Sequence, residues 1–118
     1  MNDNEKTKQF LNQQQFMVIA VTQPDGTPWA VPVKIARREG NVFEWDSMLE
    51  TEHSKALSVQ PIMAITIYQK TDDVHIGFYA KGLGELIEEY KPGFGHYRFT
   101  AEACWLNDET LVKRAVEL

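Results

Sequence analysis

The sequence is poor in features that would define several other protein classes. Cys104 is the only cysteine among the 118 residues, so an intrachain disulfide is impossible and a cysteine-based zinc site is excluded. No apolar run reaches the roughly 18 residues of a transmembrane helix, and the polar segment 1–6 lacks the apolar stretch of a signal peptide. We therefore expect a cytoplasmic protein that does not bind a membrane.

Basic residues are also scarce. Twelve Lys and Arg stand against 17 Asp and Glu, which gives a formal net charge of −5. Nonspecific nucleic-acid binding needs a basic surface, so we expect no nucleic acid among the partners. Gly and Pro are too few for a low-complexity chain, and six Phe, four Tyr and three Trp can fill a core. The length corresponds to a single domain over residues 1–118.

Two short helices are predicted. Residues 4–14 are good helix formers with only two apolar side chains, so this helix would pack one edge against the protein. Residues 52–59 form the second helix, which ends before Pro61 because a residue that precedes proline disfavours helical backbone. We interpret Ser47–Glu50, just before it, as a capping box.

The remaining segments predict short strands joined mostly by hairpins. Their β-branched and aromatic residues run or alternate over 16–22, 29–36, 42–46, 62–68, 74–80, 97–105 and 111–118. Pro24-Asp25-Gly26 and Gly40-Asn41 are turn signals, because proline presets φ and glycine tolerates positive φ. The fold class is therefore mainly β, an antiparallel sheet of six or seven strands that closes into a barrel or sandwich.

Two of these strands, 16–22 and 62–68, are apolar on both faces and are predicted to be buried on both. One small barrel interior cannot use both faces, so the helices or a second copy of the chain must cover the outer one. A homodimer is favoured on this ground. Pro32 cannot donate a ladder hydrogen bond, which predicts an edge strand, a bulge or a place where another group approaches the backbone.

The segment 82–95 is harder to interpret. Leu86, Ile87 and Tyr90 have helical spacing, and the residues 91–95 are predicted to form a loop. In the strand that follows, alternation puts Trp105 on the same face as Tyr97 and Phe99. Cys104 falls on the opposite side of that strand, where we expect it to act as a packing residue.

Few residues form a pattern that indicates chemistry. His53, His75 and His96 lack the spacing of a helical metal site, and we expect them on the surface or in loops. Ser54 and Lys55 fall in the first turns of the second helix, where backbone N–H groups, a hydroxyl and an ammonium together make an anion site. The alternative is a capped surface helix with a solvated lysine.

The order of the motifs is more specific than any one of them. Along the chain follow a helix, an apolar strand, Pro24-Asp-Gly-Thr-Pro28, Val31-Pro-Val33, a Gly-Asn hairpin, Trp45-Asp-Ser47, Ser54-Lys55, and Pro61 before a second apolar strand. This set resembles the pyridoxamine 5′-phosphate oxidase-like family of FMN-binding split barrels, most closely over residues 8–80. The resemblance implies a six- or seven-stranded split β-barrel and a homodimer with FMN in each of two grooves at the interface.

The resemblance also implies which residues bind the cofactor. Those expected to line the isoalloxazine, partly through their backbone, are Val31, Pro32, Val33 and Lys34. Those that resemble the strand-end residues beside the ring and ribityl chain are Trp45, Asp46 and Ser47. The phosphate-binding pair would be Ser54, as a hydrogen-bond donor, and Lys55, as a point charge. Trp105 and Arg114 lie in the region where, in the family, the partner subunit reaches the flavin.

The chain departs from authentic pyridoxamine-phosphate oxidases at their substrate motifs. Ala30 stands in the region of an expected arginine, and residues 111–118 contain no histidine. We therefore expect a flavin-dependent oxidoreductase with a different substrate, one that exchanges electrons between a small-molecule donor and acceptor. The alternatives are a non-catalytic binder of flavin, haem or another planar ligand on the same fold, and a β-barrel interaction domain without a cofactor.

Overall fold

Two helices and eight strands make up the fold in a computed structural model that describes residues 1–118. The helices are α1 (Asp3–Asn12) and α2 (Glu52–Val59). The strands are β1 (Phe16–Thr22), β2 (Pro28–Lys34), β3 (Arg37–Glu39), β4 (Val42–Met48), β5 (Ile62–Lys70), β6 (His75–Lys91), β7 (Phe94–Asp108) and β8 (Arg114–Val116). Both predicted helices are confirmed. Neither is long and apolar enough to cross a membrane.

All strands belong to one antiparallel sheet with the order β2-β1-β5-β6-β7-β4-β3, and β8 pairs with β7. The predicted turns are confirmed: Gly26 has φ +88° and Gly40 has φ +58°, values that favour glycine. The strand predicted over 29–36 corresponds to β2, which ends at Lys34 and pairs with β1; the short strand β3 that follows pairs with β4 and was not predicted. Between them, the Ala36 N–H donates to the Glu44 carbonyl at 2.8 Å. This change of partner brings the two ends of the sheet together as a split barrel.

The β2 strand is an edge strand, as Pro32 predicts. It pairs only with β1, where Pro32 stands opposite Val18. Its other edge faces no strand, so the missing N–H of Pro32 costs no ladder hydrogen bond.

The core lies on the inner face of the sheet. Its largest fully buried side chains include Trp45, Phe43, Phe78 and Phe99. The prediction that β1 and β5 are buried on both faces is wrong for the single chain, because along β1 buried and exposed positions alternate strictly. The helices leave the outer face of the sheet exposed beside Val18.

The structure also corrects the interpretation of residues 82–95. These residues extend β6 to Lys91, and the chain turns at Gly93, with φ +84°, directly into β7. The register shifts between Leu86 and Glu88, so the spacing that resembles a helix comes from an irregular strand. Pairing with β7 has outweighed the local pattern.

A β-bulge in β7 reverses the predicted faces at its end. Lys81 pairs with Ala103 and Gly82 with Ala101, so Glu102 is the extra residue. Beyond it Cys104 turns inward, which confirms its packing role, and Trp105 turns outward, away from the face of Tyr97. At Gly82 an added Cβ would lie 2.0 Å from the Thr100 carbonyl oxygen, so only glycine fits there.

The capping box predicted at Ser47–Glu50 is also wrong. Strand β4 continues through Met48, and the helix α2 is capped by Thr51, whose Oγ1 accepts from the Ser54 N–H at 3.2 Å. The cap therefore lies closer to the helix than the sequence pattern indicates.

Candidate functional site

A row of side chains crosses the outer face of the sheet over five strands. The register pairs Pro32 of β2 with Val18 of β1, Val18 with Thr66 of β5, Thr66 with Tyr79 of β6, and Tyr79 with Trp105 of β7. Pro32 and Trp105, both predicted site residues, thus occupy the two ends of one row.

Beside this row runs a second row of smaller side chains. Ala20 pairs with Ala64, which pairs with Lys81. The difference in size between the rows opens a groove of about 380 Å³. Its lining is Val18, Ala20, Ala64, Ile65, Thr66, Tyr79, Ala80, Lys81, Trp105 and Lys113. We call this the outer groove.

Two lysines lie over the aromatic rings of the outer groove. The Lys81 ammonium is 5.8 Å from the Trp105 ring centroid, and the Lys113 ammonium is 4.8 Å from that of Tyr79. Neither lysine belongs to any of the ion pairs of the chain. Both lysine side chains are exposed in the single chain.

A second, smaller groove continues along the same face toward β2. It has a volume of about 200 Å³ and shares Val18 and Thr66 with the outer groove. Pro32 lines it together with Phe16 and Tyr68. The side chains of Pro32 and Lys34 are exposed, whereas Val33 is buried and Val31 packs against the core. Of the predicted β2 residues, only Pro32 lines this groove.

Ser54 and Lys55 lie in a separate cleft at α2. The cleft has a volume of about 210 Å³ and is bounded on its other side by Leu86 and Tyr97. Ser54 Oγ donates to the Met48 carbonyl at 2.9 Å, so its hydrogen is already used within the turn. The Lys55 side chain takes part in no ion pair. Lys55 is therefore the available anion-binding group of the predicted pair.

Three predicted residues follow one another on β4 but have different surroundings. Trp45 is fully buried and stacks on Tyr97 with centroids 5.4 Å apart, so its ring belongs to the core. Asp46 is exposed and contacts Nδ1 of His96 at 2.6 Å. Ser47 Oγ lies 2.8 Å from Nε2 of His53.

Two histidines form side-chain contacts that the sequence pattern did not predict. Burial lowers the pKa of His53, which favours a neutral imidazole beside Ser47. His96 lies between Asp46 and the buried Glu44; hydrogen bonds to both carboxylates raise the pKa of His96. Their expected location on the surface or in loops is therefore wrong for these two, since His53 is buried in α2 and His96 is half-buried in β7.

Arg114 is held inside its own chain. Its guanidinium donates to Asp3 at 2.8 Å and to Asp108 at 2.8 Å, and these bonds link β8 to α1 and to the end of β7. The contact with Arg114 holds the pKa of the Asp108 carboxyl well below its usual range. The neighbouring Lys113, not Arg114, lines the outer groove.

A single chain therefore distributes the predicted residues over the outer face, the α2 cleft and the core. Along the sheet, Pro32 and Trp105 are separated by four strand spacings, about 19 Å. One flavin ring system cannot contact both in the same chain. A site that uses both needs one of them from a second copy.

The sequence contains a weak signal for the residues that were missed. Tyr79 lies in the strand predicted over 74–80 and Lys81 directly follows that strand, but their pairing with β5 and β7 needs the register. Lys113 is brought to the groove by the pairing of β8 with β7. Alternation identifies a face; only the register identifies the neighbours across it.

Solved structures share this fold at low sequence identity. A protein related to general stress protein 26, of the pyridoxinephosphate oxidase family, from Clostridium acetobutylicum has 12% identity and a TM-score of 0.80, with coverage of 97% of this chain and 93% of that one. A heme binding protein from Mycobacterium smegmatis has 13% identity and a TM-score of 0.85, and the match covers 99% of this chain but 58% of that protein. The heme storage protein HutZ from Vibrio cholerae has 11% identity and a TM-score of 0.73, with coverage of 86% and 92%.

At these identities the similarity establishes the fold alone. No curated protein sequence matches the chain significantly. The family model described as pyridoxamine 5′-phosphate oxidase matches residues 3–117, nearly the whole sequence. The split barrel expected from the order of the motifs is thus confirmed, and the chain belongs to the pyridoxamine 5′-phosphate oxidase-like split-barrel family.

Proposed function

We propose that this protein is a cytoplasmic FMN-binding flavoprotein, a homodimer that holds FMN between two outer faces and acts as an oxidoreductase. The observation that carries the proposal is the row from Pro32 to Trp105 on an exposed apolar face. Two copies that pack through this face would bury it and bring Pro32 of one copy toward Trp105 of the partner subunit. In such a dimer one flavin would not have to span the distance that separates Pro32 from Trp105 within a single chain.

The donor set fits an anionic, planar cofactor. Lys55 offers an ammonium without a carboxylate partner, suited to the FMN phosphate, and Ser54 stabilises the turn that carries it. The free edge of β2 at Val31–Lys34 offers backbone groups to the ring. Asp46 and Ser47 would lie beside the ribityl chain, and Trp45 would support them from the core.

Bound FMN supplies two-electron transfer between a small-molecule donor and an acceptor. The chain itself binds and orients the cofactor and restricts water around it. No side chain of the outer groove is a carboxylate or an imidazole, so the groove lacks the residue types that most often serve as general bases. The reaction would therefore depend on the cofactor and on the position of the substrate.

The test is a titration of the purified protein with FMN and with riboflavin, followed by flavin fluorescence and absorbance. We expect saturable FMN binding by a dimer, with tighter binding of FMN than of riboflavin, and bleaching of the bound flavin by NADH or NADPH. A colourless protein that binds no FMN and gains no thermal stability from it would contradict the proposal and favour an interaction domain.

A second candidate is a non-catalytic binder of haem. Two relatives of the same fold are described as heme proteins, and the outer groove contains a tyrosine, Tyr79, a residue type that ligates haem iron in some proteins. Titration with haemin distinguishes this candidate. A Soret shift that is lost in Tyr79→Phe, together with no FMN binding, would favour it.

A further inference from the structure

The side chains that line the outer groove can donate hydrogen bonds but offer few acceptors. The lining includes no Asp, Glu, Asn, Gln or His. The Thr66 hydroxyl already donates to the Phe78 carbonyl at 3.0 Å. The groups left are the ammoniums of Lys81 and Lys113 and the phenol of Tyr79. A ligand rich in hydroxyl groups, such as a sugar, would find almost no partner for its own donors.

The rest of the lining is apolar and partly aromatic. Seven of the ten lining residues are hydrophobic, and Tyr79 and Trp105 are direct cross-strand partners. Alanine at positions 20 and 64 leaves room against these rings. The volume, about 380 Å³, is within the range of sites for small organic molecules.

From these observations we infer that the outer groove binds a planar, mostly apolar carboxylate, whose ring packs on Trp105 and Tyr79 and whose anion contacts Lys81 and Lys113. One cation comes from β6 and the other from the segment before β8. The inference deepens the proposed function, since it names the class of small molecule that enters the same face as FMN. It rests on the outer face as a ligand site and not on the identity of the cofactor.

Charge complementarity favours a small anion, and not a protein surface alone, as the occupant of the outer groove. Each ammonium lies over a ring and belongs to no ion pair, so an incoming carboxylate does not have to displace a carboxylate of the protein. A second copy that covers the apolar rim would lower the local dielectric constant and strengthen the same contacts.

The experiment compares two probes of nearly equal shape, 2-naphthoate and the uncharged 2-naphthalenemethanol, by titration calorimetry of the full-length protein. We expect 2-naphthoate to bind about tenfold more tightly or better, as hydrogen bonds to a charged group imply. In the double variant Lys81→Gln/Lys113→Gln this preference should disappear. The matched control Lys8→Gln/Lys70→Gln removes the same charge outside the groove and should keep it.

Other results would overturn the inference. These are equal affinity for both probes, a preference that survives in Lys81→Gln/Lys113→Gln, or unchanged binding in Trp105→Ala. Sedimentation in the presence of 2-naphthoate adds a further arm: a dimer that excludes 2-naphthoate, with binding by the monomer alone, would show that a second copy fills the groove in the assembled protein. Circular dichroism checks that each variant is folded.

Failure of this inference is distinguishable from failure of the FMN proposal. FMN binding is measured separately by flavin fluorescence on the same samples. Binding of 2-naphthoate without FMN binding leaves the groove assignment intact and removes the flavin. FMN binding without any preference for the anionic probe would support the flavin and remove the groove assignment.

Discussion

Glu44 and His96 face each other across β4 and β7, with Oε1 of Glu44 2.5 Å from Nε2 of His96. The Glu44 side chain is only 8% exposed, so the contact lies at the boundary of the core. His96 lowers the pKa of Glu44, and the two carboxylates Glu44 and Asp46 raise the pKa of His96. Arg37 and Arg98 lower the pKa of Glu44 further.

This pair predicts how stability depends on pH. The stabilisation from His96 is fully present below its ordinary pKa of 6.5 and is lost as the pH rises through its raised value. That from Glu44 is present above its ordinary pKa of 4.5 and is lost as the pH falls through its lowered value. Both contribute fully between about pH 4.5 and 6.5.

We therefore expect the stabilisation by His96 to decline between pH 6 and pH 9, which lowers the thermal midpoint of the wild type relative to that of His96→Gln; the lowered pKa of His53 acts in the opposite direction in both proteins. A contribution of about 1 kcal/mol corresponds to a shift of roughly 4 °C in a domain of this size. Differential scanning calorimetry of the wild type and of His96→Gln measures it, and the variant should lose the decline toward high pH. His75→Gln is the control, and a decline that persists in His96→Gln would assign it to other groups.

The ion pairs of Arg114 predict a structural role for this residue, whereas the family resemblance predicts a contact with the cofactor. Removal of its guanidinium in Arg114→Gln would leave Asp108, which is 4% exposed, with only Lys6 and Thr110 as partners. We expect a lower free energy of unfolding, measured by urea denaturation, because the Asp108 carboxylate loses hydrogen-bond donors. The control Arg38→Gln removes a guanidinium that contacts only Asn12 and the Gly40 carbonyl.

The same variants decide between the two roles of Arg114. A structural role predicts that folded Arg114→Gln binds FMN as tightly as wild type does. Unchanged stability with a clear loss of FMN affinity would instead make Arg114 a ligand residue.

The turns at Gly26 and Gly40 and the bulge at Glu102 illustrate what the sequence can and cannot predict. Turn residues at Gly26 and Gly40 act locally, so both hairpins could be located without the structure. The single extra residue Glu102 cannot be seen in the pattern, because a bulge is fixed by pairing with β6. It reverses the faces of Cys104 and Trp105, and with them the composition of the outer groove.

The candidate site was predictable to the extent that it depends on motifs. The missing N–H of Pro32 predicted an edge strand, a bulge or a close approach by another group, and the structure shows the first of these. Lys81 and Lys113 come together only through the register of β6 with β7 and the pairing of β8, which no local pattern contains. The ion pairs of Arg114 with Asp3 join residues from the two ends of the chain and are equally invisible in the sequence.

Lys55 should distinguish FMN from riboflavin. In Lys55→Ala the phosphate loses its point charge, and we expect FMN affinity to fall about tenfold or more while riboflavin affinity stays the same. Fluorescence titration with both flavins measures the ratio. Lys70→Ala, an exposed lysine on β5, is the control. Equal losses for the two flavins would exclude Lys55 as a phosphate ligand.

Val18 tests whether the outer face joins two copies around the flavin. Its side chain stands between Pro32 and Thr66 and is 36% exposed in the single chain. In Val18→Asp a carboxylate would be buried against an apolar partner face, and its desolvation destabilises the dimer. Lys81 lines the same groove but stands on β6, two strands away from Val18, so it offsets only part of this cost. We expect sedimentation to show monomers at concentrations where the wild type is dimeric, and FMN to be released in parallel. Val59→Asp places the same charge on α2, where Val59 is 66% exposed, and should remain dimeric with FMN bound. A Val18→Asp monomer that retains FMN would show that one chain suffices for the site.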